Sequence, residues 1–333
     1  MVMTTDRHPR NLTRGLRRRL ILAMLPLVSV WLPGAVDACS SCGCTLSSDW
    51  AAQGFAAGSG FRLDLRFDSF DQDQMRSGTG SVDRGTLTVP SEREIQRTTI
   101  NRNYAMTLDY SPSPEWGVSL HVPFYDRTHT TFAEGDTLIS TSDFRRMGDI
   151  RVVGRYQGLS PDHSTGVEVG LKLATGAFHE DFARGPQAGE PLDRGLQPGT
   201  GTTDLLIGMY HFGGLGPRWN YFAQALIQQP LGSREDFKPG TGLNLNLGVR
   251  YLATATVVPQ IQLNVRAEKR ESGANADVEN SGATLVYLGP GLTVGVTRGV
   301  QVYGFVQVPV YQNVNGLQIE PRYSASVGLH FQP

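Results

Sequence analysis

Residues 241–268, TGLNLNLGVRYLATATVVPQIQLNVRAE, decide the fold. Leu243, Leu245, Leu247, Val249 and Tyr251 alternate with Asn244, Asn246, Gly248 and Arg250. After a turn around Thr254–Pro259, Ile261, Leu263, Val265 and Ala267 alternate with Gln262, Asn264, Arg266 and Glu268. Successive strand side chains point to opposite faces, so the stretch reads as a hairpin with one apolar and one wet, charged face.

Working outward, the same pattern recurs. Phe61, Leu63, Leu65 and Phe67 oppose Arg62, Asp64, Arg66 and Asp68. Tyr104 to Tyr110, Trp116 to Phe124, Gly148 to Gly158 and Val167 to Leu173 follow. Leu205 to Phe212, Trp219 to Gln229, Ala283 to Val296, Val300 to Val310 and Tyr323 to Phe331 complete about twelve strands. Short turns such as Ser111–Glu115 and Ser160–Ser164 alternate with longer polar connections. These long connections are expected at about 69–98, Asp126–Met147, Thr175–Gly201, Leu231–Gly240, Ser272–Ser281 and Gln312–Glu320. An even strand count with strictly alternating long and short connections describes an all-β, antiparallel transmembrane β-barrel, with short periplasmic turns and long extracellular loops. Both termini then lie on the short-turn side.

A soluble sandwich would turn the same alternation inside out. Two features oppose it. A barrel of about twelve strands is wider than the roughly eight whose side chains fill the interior, and sandwiches follow no long–short rule. Arg or Lys on a lipid face costs about 2–4 kcal/mol at the midplane, and the strand cations avoid the apolar face. The expected lumen set is Arg62, Asp64, Arg66, Asp68, Arg151, Arg155, Glu168, Lys172, Arg250, Arg266 and Glu268. Two readings of this set stay open: a constriction that filters solutes by charge, or a salt-bridged interior that keeps the barrel rigid. His121 is expected to face the lumen as well.

Residues 1–38 differ in kind. Six arginines from Arg7 to Arg19 precede an apolar Leu20–Leu32, and Val36-Asp37-Ala38 offers small residues for cleavage before Cys39. This reads as a secretory signal peptide. The apolar core is short for a membrane anchor and broken by Pro26, and Val-Asp-Ala is a poor lipoprotein signal. Without the leader's six basic and two acidic residues, the 30 cations and 31 anions leave a mature net charge near −5. No basic patch suggests nucleic acid, and no later apolar run is long enough for a helical span.

Residues 39–60 form a cysteine-containing segment, periplasmic or a plug, before the barrel of 61–333. Cys39, Cys42 and Cys44 make C-x-x-C-x-C. Thiolates so spaced can hold a soft metal ion. In an oxidising compartment the plainer outcome is one disulfide with one thiol over, open to a partner or to modification. In the longest loop, His179, Glu180 and Asp181 cluster as a candidate metal or solute site, against the plainer reading of a solvated loop tip. No G-x-S-x-G, H-E-x-x-H or P-loop motif is present, so no enzyme and no resident cofactor is expected.

Three segments carry a resemblance: Met147-Gly148-Asp149-Ile150-Arg151-Val152, Leu171-Lys172-Leu173-Ala174-Thr175-Gly176 and Leu196-Gln197-Pro198-Gly199-Thr200-Gly201-Thr202-Thr203-Asp204. They are similar to recurring strand openings and endings of the "meta-pathway of phenol degradation" family of outer-membrane proteins, with Ala174 at a position where that family has Pro. The resemblance spans about Phe61 to Phe331. It implies a Gram-negative outer-membrane barrel that moves small, often aromatic or hydrophobic, compounds. It supplies no site residues, and it does not reach the cysteine segment. The partners expected are outer-membrane lipid and a small solute. A second reading is a structural or binding barrel whose cysteine segment holds a soft metal or docks a periplasmic redox partner. A third, rim-located lipase chemistry, has no motif behind it.

Overall fold

The computed structural model describes residues 59–254 and 256–333. The leader and the cysteines at 39, 42 and 44 lie outside the described residues. The strands are β1 (Gly60–Gly78), β2 (Gly80–Ser81), β3 (Ile95–Ser111), β4 (Trp116–Phe132), β5 (Ile139–Met147), β6 (Arg151–Tyr156) and β7 (Thr165–Lys172). They continue with β8 (Asp204–Gly214), β9 (Trp219–Pro230), β10 (Gly242–Tyr251), β11 (Val257–Glu268), β12 (Ala283–Thr297) and β13 (Val300–Phe331). All pairings are antiparallel in one sheet of order β13-β12-β11-β10-β9-β8-β7-β6-β4-β3-β1, with β2 beside β1 and β5 beside β4, and β1 pairs β13 to close it.

Three of these elements change the strand count. β5 and β6 both pair β4, at its upper and lower halves, and so share one stave interrupted at 148–150. β13 pairs β12 through residues 300–314 and β1 through residues 314–331. It therefore doubles back near Gly316, whose φ of 52° suits a residue without a Cβ. Ten staves from β1 to β12, with β2 aside, and the two arms of β13 make the wall twelve staves.

Three expected loops are largely strand. β1 runs to Gly78, β4 and β5 extend to Phe132 and from Ile139, and 312–320 is β13's own tight reversal. A strand needs only ladder hydrogen bonds, and above the lipid the outward residues can be polar without ending it. Apolar content therefore marked the end of the membrane band rather than the end of the strand.

The outer surface is apolar over a limited height. Along β4 the outward residues from Trp116 to Phe124 are Trp, Val, Leu, Val and Phe. That span matches the roughly 9–11 residues a tilted strand needs to cross a bilayer. Aromatic rings mark its lower edge: Phe61 stacks on Tyr110 at 4.4 Å, and Trp116 lies tilted against Tyr156 at 4.6 Å and Trp219 against Tyr251 at 4.8 Å. Phe67, Tyr104 and Phe124 form a row at the upper edge. Directly above them, Arg102 bonds Asp71 at 2.7 Å and Arg145 bonds Asp126 at 2.9 Å. Aromatic girdles bounding an apolar band are the exterior of an outer-membrane barrel.

Candidate functional site: the bore and its loop

Every lumen residue expected from the alternation lies on the inward face. Arg62, Asp64, Asp68, Arg155, Glu168, Lys172, Arg250, Arg266 and Glu268 are buried, while Arg66 and Arg151 are half-buried. Strand alternation alone places them there, because each shares parity with its neighbours on the wall. His121 is also inward and stands across from Arg151.

At the lower end, Arg62 Nη1 and Arg155 Nη1 each donate to Asp109, on its two oxygens, at 2.8 Å. Both guanidinium groups also donate to Ser111 Oγ at 3.0 Å. Asp64 accepts from Tyr303 Oη at 2.9 Å, and Asp68 from Arg66 Nε at 2.9 Å and Ser326 Oγ at 2.6 Å. Higher in the bore Arg266 pairs with Glu268 and donates to Asn244 Oδ1 at 3.1 Å. Arg250 lies over the Phe222 ring, 6.0 Å from its centre. Each of these charges has partners within the wall, as buried ions require.

Large apolar side chains also project into this wide barrel. Phe70, Leu206, Tyr210, Phe222, Leu285, Tyr287, Tyr303 and Phe305 point inward and are buried. Apolar bulk on the wet face was invisible to a reading that assigned apolar residues to lipid.

The segment 173–203 occupies the upper mouth. Phe182, Leu192 and Leu196 pack on Phe144, an inward residue of β5. Arg127, inward on β4, donates from Nη1 to the Leu196 carbonyl at 2.7 Å and from Nε to Asn101 Oδ1 at 2.8 Å. The inward Ser140 Oγ accepts from Gln187 N at 3.1 Å. Apolar side chains in a polar loop fold it inward over the bore instead of out into solvent.

The three segments quoted for the resemblance meet at one clasp. Asp149 Oδ1 accepts from Gly176 N at 2.9 Å, and its Oδ2 accepts from Thr200 N at 2.9 Å and from Lys172 Nζ at 3.1 Å. Lys172 Nζ also lies 3.0 Å from Asp204 Oδ2. The backbones touch: a Cβ on Gly176 would stand 2.8 Å from the Gly148 carbonyl carbon, and one on Gly199 would stand 2.6 Å from the Gly176 oxygen. The clasp ties both ends of the loop to the wall between β5 and β6. Asp149 and Asp204 were not among the expected lumen residues, because each sits where the alternation breaks or begins.

His179, Glu180 and Asp181 do not converge. His179 is exposed and bonds Glu235 at 3.0 Å across to the next loop. Glu180 pairs with Arg146 of β5 at 2.7 Å. Asp181 forms a β-bridge with Pro191. The His179 hydrogen bond, first, and Arg194 hold the Glu235 carboxyl below its ordinary range. Arg194 is the stronger tie at this rim, stacked between Phe178 and Phe237 at 4.9 Å from each and bonded to Glu235 at 3.0 Å. Among the described residues no group of three His, Cys, Asp or Glu side chains is placed to hold a metal.

A twelve-stave barrel with an apolar belt, a bonded polar interior and an inward loop defines the outer-membrane β-barrel class. No protein-family model and no curated protein matches the chain. Among solved structures it is similar to an outer membrane channel from Pseudomonas putida F1, at 11% identity over 86% of this chain and 98% of that one, with a TM-score of 0.63. It also aligns with the β domain of the Bordetella autotransporter Brka, at 13% identity over 84% and 100% and a TM-score of 0.46. A third match is the CymD monoaromatic hydrocarbon channel, at 9% identity over 90% and 98% and a TM-score of 0.44.

Proposed function

We propose that the chain is a passive channel of the Gram-negative outer membrane, passing small molecules along its bore, with the 173–203 loop as the upper constriction. The observation that carries this reading is the inverted barrel: charges and amides enclosed by the wall, apolar side chains outside it. A soluble protein gains nothing by that arrangement, whereas a membrane makes it the stable one. The fold likeness to a known channel and the signal-peptide-like leader agree with it. The family resemblance extends the proposal to small aromatic or hydrophobic solutes.

Planar-bilayer recording of the mature protein tests the reading. Stepwise ohmic conductance is expected, rising when residues 178–196 are replaced by a short Gly/Ser linker. A folded barrel that stays electrically silent with and without the loop would sink the proposal.

A further inference from the structure

A row of uncharged side chains crosses half the bore at one level. Asn246 and Asn264 stand opposite each other on β10 and β11. Asn246 Nδ2 donates to Gln224 Oε1 at 3.3 Å on one side, and Asn264 Nδ2 donates to Gln307 Oε1 at 3.1 Å on the other. Gln307 Nε2 carries the row on to Ser324 Oγ at 3.2 Å. One step below, Gln262 lies between Gly248 and Gly289, which leave the wall beside it without side chains of their own.

Gln262 is 1% exposed, yet neither its Oε1 nor its Nε2 meets a hydrogen-bond partner among the described residues. The Oδ1 atoms of Asn246 and Asn264 are in the same position. Buried amide heads without partners are unfavourable, and their place in a native structure calls for a ligand or water in the working cycle. An amide carries both a donor and an acceptor and can turn over, so a hydroxyl, which also does both, satisfies it in either setting. The charges elsewhere on the wall are engaged: Arg62 and Arg155 on Asp109, and Lys172 on Asp149 and Asp204. Glu168, at the β9 end of the row, is engaged by Gln224 Nε2 at 3.1 Å. An ion at Gln262 and the two asparagines would surrender its hydration to groups of no net charge, and a bare hydrocarbon would offer the amides nothing.

We infer that this amide row selects the solute, favouring small uncharged molecules that carry several hydroxyl groups. The inference rests on the channel reading and puts hydroxylated solutes in place of the aromatic or hydrophobic ones the family resemblance implied. As a solute passes, its hydroxyls take up the heads of Gln262, Asn246 and Asn264, and the row's own bonds re-form behind it.

The test pairs two measurements on the full mature barrel: swelling of proteoliposomes in isosmotic arabinose, and potassium chloride conductance in planar bilayers. Gln262→Leu is expected to slow arabinose entry about fivefold, roughly what one lost neutral hydrogen bond is worth, with conductance unchanged. Gln262→Glu keeps the length of the side chain; it should retain arabinose entry and make the current cation-selective. Unchanged arabinose entry in Gln262→Leu, or a wild type that conducts ions and excludes arabinose, would overturn the inference while leaving the channel standing. A wild type that passes neither removes the channel reading and the inference together.

Discussion

At the scale of single residues, the bore is organised by glycines that face rings. Gly166 lies under Tyr210, Gly248 under Phe222, Gly291 under Phe305 and Gly328 under Tyr303, each glycine beside the strand that carries its ring. A Cβ on Gly248 would stand 2.1 Å from the Phe222 ring. Gly248→Ala should therefore destabilise the barrel by about 1–3 kcal/mol, the usual cost of overpacking, read as a lower urea midpoint for unfolding from lipid. Adding Phe222→Leu to that variant should restore part of the loss, because it withdraws the ring the new methyl meets. The glycines were legible in the sequence as polar-face members of their strands. Their partners were not, since the pairing depends on register between strands, which a single alternating pattern leaves open.

At the scale of elements, the inward loop is held by bonds to a few side chains. Asp149 accepts from two backbone N–H groups and one lysine. Asp149→Ala should cost at least about 3 kcal/mol, because hydrogen bonds to a charged group are worth roughly 1.5–3 kcal/mol each and only the Lys172 one is partly made good, by Asp204. The same variant should expose the loop to limited proteolysis between 178 and 196. The loop is also expected to respond to pH. Burial, with the carboxylates of Glu94 and Asp277 adding to it, pushes Asp193 up to about 7. A carboxyl that holds its proton more tightly in the folded loop than in the free one favours the folded loop most below the ordinary carboxylate range. That preference falls as pH climbs from there to about 7 and levels off above. Amide exchange within 190–197 should accordingly show more protection at pH 5 than at pH 8, beyond the intrinsic rate change, and Asp193→Asn should flatten the difference. From the sequence, the loop's length and its Gly, Pro and charge content were plain. Its inward fold was not, because Phe182, Leu192 and Leu196 are too scattered to show a period.

At the scale of the whole molecule, the decisive property is which side of the wall meets lipid. Val169 is 57% exposed on the outer face of β7, and Leu215 is 62% exposed in the turn after β8. Val169→Arg should lower the free energy of folding into vesicles by about 2–4 kcal/mol, and Leu215→Arg by about 1 kcal/mol or less, the depth dependence of a cation on a barrel exterior. Equal penalties at the two sites would deny the wall a lipid face. This property could be read from the sequence almost completely, because one period of two governs both the charges of β1 and the aliphatics of β10. Strand ends above the membrane escaped that reading, since nothing about Asp126 or Thr128 separates a solvated strand from a loop. The reversal of β13 at Gly316 has one more consequence. In a hoop where every neighbour runs opposite to the next, membership must be even. A chain lacking only its last arm would hold an odd number and could not heal by sliding the ends together, since the two lips would run the same way. Gain and loss of wall in such a molecule can come only by whole hairpins, and the final nineteen residues from Asn315 onward are as indispensable to closure as the first strand they meet.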